Sequence, residues 1–336
     1  MIKHNEDTRV KIPSILHLTR LGYEYLSLRD ATWDLDTNIF TDVFKKSITK
    51  INHDLKEDAI NRLYDDISHL LDYEDFGKAF YEKLTEQSGV KLIDFENFHN
   101  NTFNVVTELT YKNGDDEFRP DIILLINGMP LVFIEVKKPN NQDGVLAERK
   151  RINTRFSNKK FRKFVNITQL MVFSNNMEYD DDLSEPIEGA FYATPSHTPK
   201  FNYFREEEKL NLAKLLNDLD EDTENFILKD NNLESIKKQN EFLTNKDPST
   251  PTNRLSTSLF CKDRLAFVLK YAIAYVKVSG GVEKHIMRYP QIFATKAIEK
   301  KLSEGITKGI IWHTQGSGKT ALAFYNIKHL TDYFQK

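Results

Sequence analysis

The sequence predicts an α/β protein in which a mixed sheet flanked by helices is followed by the start of a second α/β unit. Three observations carry this. Two strongly apolar segments, 122–126 and 131–136, are joined by the turn pair Asn127-Gly128. A helix-patterned stretch at about 144–164 then leads into another apolar segment, 170–173, giving the order strands, helix, strand. Far downstream, Gly316-Ser317-Gly318-Lys319-Thr320 stands between an apolar run and a helix-like stretch, the context a phosphate-binding turn requires.

Taken in order, Ile12, Ile15, Leu16, Leu18 and Leu21 recur at helical spacing, and Gly22 is placed to end that helix. Helix-like segments follow at about 54–71 and 74–88. Between 103 and 173 the pattern turns to strands, with Val105-Val106, then 122–126 and 131–136, punctuated by Asn113-Gly114 and Asn127-Gly128. Residues 178–188 and 206–224 are rich in Asp and Glu. The prolines and small polar residues of 247–253 read as a linker, which divides the chain into 1–250 and 251–336. Beyond it, 257–278 and 289–304 are expected to be helical, 309–312 a short strand, and Thr320 onward a helix.

A chain of 336 residues is long enough for two or three domains. Its formal charge of -3 is near neutral, so a nucleic-acid surface has to come from local clusters of Lys and Arg. Cys261 is the single cysteine, which excludes an intrachain disulfide or a thiolate metal cluster and agrees with a reducing, cytoplasmic setting. Met1-Ile2-Lys3-His4-Asn5 starts no signal peptide, and no apolar run approaches the ~18 residues of a membrane helix. The expectation is a soluble protein without a membrane partner.

Charges appear where the apolar segments end. Ile123 and Leu125 share a strand face with Asp121, while Ile122, Leu124 and Ile126 make the other face apolar, as in a central strand covered on both sides. In the partner segment Leu131 and Phe133 lie on the face that continues into Glu135 and Lys137, and Val132, Ile134 and Val136 lie on the other. Side chains two apart share a face, so Glu135 stands beside Lys137 and Lys138 turns away. A three-residue loop with glycine in the left-handed region sets Asp121 opposite Glu135, whereas a strict two-residue turn pairs Asp121 with Ile134; the longer loop is expected.

Two carboxylates that close repel unless a cation lies between them, and an all-oxygen site suits Mg2+ or Mn2+. Such an ion activates water and stabilises charge on a phosphate, with Lys137 positioning or deprotonating the water, which is the chemistry of phosphodiester hydrolysis. The opposing reading is a surface hairpin with a solvated Glu–Lys pair. Apolar residues on both faces count against it.

Eight basic residues and no acidic one lie from 149 to 163: Arg149, Lys150, Arg151, Arg155, Lys159, Lys160, Arg162 and Lys163. Either they meet a DNA backbone, read for charge alone, or they form a helix face neutralised by the later acidic stretches. In the downstream turn, backbone amides would cradle phosphates, Lys319 would reach the terminal ones and the Thr320 hydroxyl would ligate magnesium, so ATP is the expected ligand. His313 stands where the motif has its first glycine.

Pro120-Asp121 with Glu135-Val136-Lys137 resembles the PD-(D/E)xK nuclease superfamily. The resemblance implies catalytic roles for Asp121, Glu135 and Lys137, and a metal held by Asp121, Glu135 and Val136. Members often carry a further Gln-x-x-x-Tyr element, met here by Gln169 with Phe173 in place of Tyr, and an acidic residue on an early helix, for which Glu6 is the candidate. Arg288-Tyr289-Pro290-Gln291 resembles the adenine-contacting motif of superfamily 2 helicases. The turn at 316–320 then resembles the start of a RecA-like motor.

The order of these parts resembles the restriction (R, HsdR) subunit of type I restriction-modification enzymes over essentially the whole chain, from Asp7-Thr8-Arg9 through Phe118-Arg119-Pro120-Asp121 to Trp312-His313-Thr314-Gln315-Gly316. That family implies ATP-driven translocation of double-stranded DNA and cleavage at non-specific sites, with methyltransferase (M) and specificity (S) subunits as partners. The chain reads as an N-terminal fragment cut off inside its motor at Lys336, expected not to hydrolyse ATP efficiently by itself. Two other readings are a nuclease-helicase of DNA repair or recombination, and a non-catalytic DNA-binding module whose carboxylates are structural.

Overall fold

A computed structural model describes residues 6–137, 144–178, 189–197, 199–312, 316 and 318–335. A π-helical turn, Asp7–Lys11, leads into α1 (Ile12–Arg20). This helix ends at Gly22, whose φ of 87° closes it with hydrogen bonds from Gly22 N to the Thr19 carbonyl and from Tyr23 N to the Leu18 carbonyl. After β1 (Glu24–Tyr25) come α2 (Thr41–Ile51), α3 (Glu57–Leu70) and α4 (Lys78–Thr85).

The sheet region contains β2 (Phe103–Thr107), a small hairpin of β3 (Tyr111–Asn113) and β4 (Asp116–Phe118), then β5 (Ile122–Ile126) and β6 (Met129–Val136). Next come α5 (Gly144–Ser157), α6 (Arg162–Ile167), β7 (Leu170–Ser174), β8 (Ala190–Ala193) and β9 (Asn202–Tyr203). The seven-stranded sheet runs β1-β2-β5-β6-β7-β8-β9, with β1/β2 and β6/β7 parallel and the other pairs antiparallel. It is therefore mixed, as expected. Every residue of β5 and β6 is buried, which follows from their apolar faces and central position.

Two apolar clusters cover the two faces. Ile122, Leu124 and Ile126 join residues of α1 to α4, while Ile123, Leu125 and Phe133 pack with Tyr111, Phe118, Ile152, Phe161 and Phe164. The stretch expected to be one helix at 144–164 is broken between α5 and α6, where the Asn158 side chain accepts from Lys160 N and starts a 3₁₀ turn.

Beyond the sheet lie α7 (Leu212–Leu215), α8 (Glu221–Asp230), α9 (Asn240–Asn245), α10 (Pro251–Phe260), α11 (Lys262–Tyr271), β10 (Ile273–Val278), β11 (Gly281–Ile286), α12 (Tyr289–Ser303) and α13 (Lys319–Gln335). Three expectations need correction here. The stretch at 247–253 is packed rather than an open linker: Asn253 donates to the Asn245 and Asp247 carbonyls, and the Thr252 hydroxyl lies 2.8 Å from that of Ser174 at the end of β7. Residues 273–278 form a strand, not a helix end, because their alternating side chains pair with β11 across the Ser279-Gly280 turn. Residues 309–312 form no strand; Ile310 and Trp312 are each 91 % exposed, with no neighbouring strand to pair with among the described residues. No helix among the described residues is long and apolar enough to cross a membrane.

Candidate active site

The β5–β6 hairpin decides which charged groups meet. Its turn has two residues, Asn127 (φ 51°) and Gly128 (φ 78°), not the three expected. Only glycine fits at 128, because a Cβ there would lie 2.7 Å from the Phe40 carbonyl oxygen and the Phe44 nitrogen of the α2 start. Pairing begins as Ile126 with Met129 and Leu125 with Pro130, then shifts by one at a bulge so that Leu124 meets Val132 and Ile122 meets Ile134. Continued, that register sets Asp121 opposite Glu135. The expected pairing is thus reached by a bulge at Leu131 instead of a longer loop, and the bulge also moves Leu131 into the same cluster as Val132 and Ile134, off the face of Phe133.

At this strand end the Lys137 ammonium lies 3.2 Å from Glu135 Oε1, 3.6 Å from Asp121 Oδ2 and 3.5 Å from Glu6 Oε1. Asp121 is held by its other contact, accepting from Val136 N at 2.9 Å. Glu6 arrives from the start of the π-helical turn, a segment 115 residues before Asp121 in sequence. Glu135 and Lys137 are 5 % and 9 % exposed, so these charges interact in a poorly solvated setting. Lys138 and Pro139 lie outside the described residues.

Among the described residues three carboxylates face the Lys137 ammonium, a set of hard oxygen donors whose mutual repulsion a divalent cation would relieve. Among the described residues, no three His, Cys, Asp or Glu side chains form a ready metal cage, since these carboxylates gather around Lys137. Mg2+ does not need such a cage: it keeps several waters and takes one or two carboxylates. Asp121 and Glu135, hard oxygen donors on adjacent strand ends, fit it in kind, and Val136 can contribute only a main-chain group.

Gln169 does not join this group. It sits beside Leu131, whose carbonyl accepts from Gln169 N, and is fully buried with Nε2 donating to the carbonyls of Asn166 and Ile167. Four residues of strand, roughly 13 Å, separate that level from Glu135. Phe173 is level with Glu135 but packs into the core against Phe133 and Phe201. The expectation failed because a parallel neighbour of β6 brings its C-terminal end, not its beginning, to the site.

The basic segment divides in two. Lys160 pairs with Asp116 at 2.9 Å, Lys159 and Arg162 with Glu74, and Lys163 with Asp36 and Asp72. For these four residues the neutralising carboxylates come from earlier elements of the chain. On α5, Arg149, Lys150 and Arg151 are exposed, while the Arg155 guanidinium lies 4.7 Å from the Phe118 ring centre.

Downstream, the structure brings Gln291 to the glycine-rich turn. Gln291 Oε1 accepts from Arg288 N at 2.8 Å, its Nε2 donates to the Gly318 carbonyl at 3.0 Å, and Arg288 reaches the Gly316 carbonyl. Gly316 and Gly318 have φ of 77° and 82°, and α13 begins at Lys319, leaving Lys319 and Thr320 exposed at the helix start. His313, Thr314, Gln315 and Ser317 lie outside the described residues. A cavity of about 430 Å³ beside the turn is lined by Arg288, Gln291, Gly316, Thr194, Ser196 and Lys284. Lys284 escaped the sequence reading: it is fully enclosed, donates to the Thr168 carbonyl at 2.9 Å, and burial pushes its ammonium well below the ordinary lysine value. The alternating pattern of β11 was the signal that could have found it.

Residues 3–180 match the family described as type I restriction enzyme R protein N terminus, and the chain belongs to that family. Residues 290–336 match the SWI2/SNF2 ATPase family. Similar proteins include two from Methanocaldococcus jannaschii, the putative type I restriction enzyme MjaVIIP endonuclease subunit (31 % identical, covering 79 % of this chain and 22 % of that one) and its MjaIXP counterpart (30 %, 98 % and 32 %). The type I restriction enzyme HindI endonuclease subunit of Haemophilus influenzae is 24 % identical over 93 % of this chain and 29 % of its own. The chain spans less than a third of the length of these relatives.

Proposed function

We propose that this chain is the Mg2+-dependent endonuclease portion of a DNA-translocating, ATP-dependent type I restriction subunit, cleaving double-stranded DNA at non-specific sites. In this reading residues 1–250 are a PD-(D/E)xK nuclease domain, residues 251–336 begin a RecA-like, superfamily 2 motor, and methyltransferase and specificity subunits choose the recognition sequence in the cytoplasm. The observation that carries it is the gathering of Glu6, Asp121 and Glu135 within 3.6 Å of the Lys137 ammonium at the end of two central strands.

Asp121 and Glu135 would hold the ion, and when bound it would supply Lewis-acid stabilisation of the scissile phosphate and a more acidic water. Lys137 orients the attacking water and holds positive charge beside the phosphoryl oxygens as charge builds on them. Val136 N keeps the Asp121 carboxylate aimed through its 2.9 Å hydrogen bond. Exposed Arg149, Lys150 and Arg151 would meet the DNA backbone without reading bases. At the other end, the amides of 316–320 would receive ATP phosphates, Lys319 and Thr320 would reach the terminal phosphate and its Mg2+, and Gln291 would lie beside the nucleotide.

Nicking of supercoiled plasmid by the folded chain in Mg2+ tests the nuclease. Asp121→Ala, Glu135→Ala and Lys137→Ala should each abolish it with the circular dichroism spectrum retained in Mg2+. Full activity in any one of them refutes the assignment.

A further inference from the structure

Beside the three carboxylates lies a second charged group, Glu108 with Lys11 and Arg119, to which the reaction just described gives no task. β2 and β5 stay paired as far as Thr107 with Ile122 and then part. The next residue, Glu108, turns with φ of 55°, a left-handed conformation that a glutamate adopts against its steric preference. In that conformation its N–H still donates to the Asp121 carbonyl at 3.2 Å, while its side chain leaves the sheet.

Its carboxylate accepts from the Lys11 ammonium through one oxygen, and the other lies 3.6 Å from Arg119 Nη1. Lys11, only 4 % exposed, closes the π-helical turn that Glu6 immediately precedes, and also lies 3.4 Å from Asp7. Arg119 is the residue two before Asp121. Glu108 therefore touches the backbone of Asp121, the side chain of Arg119, and the far end of the turn that presents Glu6 to Lys137.

A stabilising ion pair is a poor account of this geometry. Partly exposed pairs contribute little, whereas a non-glycine residue held left-handed is costly, and such positions persist where function requires them. Resting on the nuclease reading above, we infer that Glu108 is a positioning residue: gripping Lys11 while its backbone holds Asp121, it fixes the Glu6-bearing turn against Asp121, Glu135 and Lys137, and so sets the spacing of the carboxylates that take the divalent ion. It touches neither the ion nor the DNA.

The test is calorimetric titration of the whole chain with Mn2+, alongside thermal melting and plasmid nicking, for wild type, Glu108→Gly, Lys11→Met and Asp121→Ala. Glycine is at ease at φ 55° and Asp7 stays 3.4 Å from the Lys11 ammonium, so Glu108→Gly should melt close to wild type, yet bind Mn2+ roughly 10- to 100-fold more weakly, the usual effect of losing a partner that orients metal ligands. The Mn2+ concentration for half-maximal nicking should rise by the same factor, and Lys11→Met should move both readings in the same direction. Unchanged Mn2+ affinity in Glu108→Gly, with none left in Asp121→Ala, overturns the inference and leaves the nuclease standing. Unchanged affinity in Asp121→Ala overturns both. A Glu108→Gly protein that melts well below wild type shows a role in the fold alone and also overturns it.

Discussion

Removing the ammonium of Lys137 tests the electrostatic reading of the site most directly. In Lys137→Met the stem of the side chain is kept, but three carboxylates lose a cation at 3.2, 3.5 and 3.6 Å. At an effective dielectric of ~20 each attraction is roughly 4–5 kcal/mol before desolvation. Breaking a buried pair by deleting one partner costs about 3–5 kcal/mol net, because the abandoned charge stays poorly solvated. The variant should therefore lose about 3–5 kcal/mol of stability in EDTA at neutral pH. A divalent ion that binds the folded state alone restores ~2.7 kcal/mol at a hundred times its dissociation constant. Urea unfolding followed by circular dichroism, in EDTA and then in Mg2+, reads both effects: a low midpoint in EDTA that Mg2+ moves back toward wild type. A shift below about 0.5 kcal/mol in EDTA, or no recovery in Mg2+, would refute the account of Lys137 as the cation that holds this cluster together.

Other expectations follow from particular contacts. His17 is enclosed between α1 and α10, 2.7 Å from the Thr257 hydroxyl, and burial, aided by Arg20, lowers its pKa to about 3. The unfolded chain takes up the proton near pH 6.5 and the folded chain does not, so stability should fall as pH drops below 6.5, by about 2 kcal/mol at pH 5; urea midpoints against pH should show a shallower slope for His17→Gln. Gly128→Ala meets backbone atoms at 2.7 Å and a left-handed φ, and should cost about 2–4 kcal/mol by the same assay. For DNA binding, replacing Arg149 and Lys150 by Ala should reduce the slope of log affinity against log salt by roughly one for each phosphate no longer neutralised, whereas Lys160→Ala, whose partner is Asp116, should leave it unchanged in filter-binding titrations. Gly318→Ala should weaken binding of a fluorescent ATP analogue, since its φ of 82° is strained for alanine and the new Cβ would lie 2.7 Å from Gln291 Nε2.

Much of the sheet was legible because strand periodicity is a local property. The apolar faces of 122–126 and 131–136, the turn at Asn127-Gly128 and the helix end at Gly22 each depend on a few adjacent residues, and each stands where the pattern put it, with Leu131 displaced by the bulge. Residues 273–278 were read as the end of a helix because their Ile, Ala, Tyr and Val residues suit a helix nearly as well as a strand until the pairing partner is known. The apolar run at 309–312 met the local criterion for a strand and forms none, since a strand exists only through its neighbours.

The two-residue spacing of Glu135 and Lys137 by itself put both side chains on one face, because alternation is built into extended backbone. Which carboxylates reach that lysine was a matter of the tertiary structure. A bulge at Leu131 brought Asp121 level with Glu135, the packing of the first helical turn delivered Glu6, and the parallel placement of β7 left Gln169 at the wrong end. Pairing of the basic segment with Asp36, Asp72, Glu74 and Asp116 was equally beyond local pattern. Spacing along a chain sets the direction in which a side chain points; only the packing of distant segments sets what it meets.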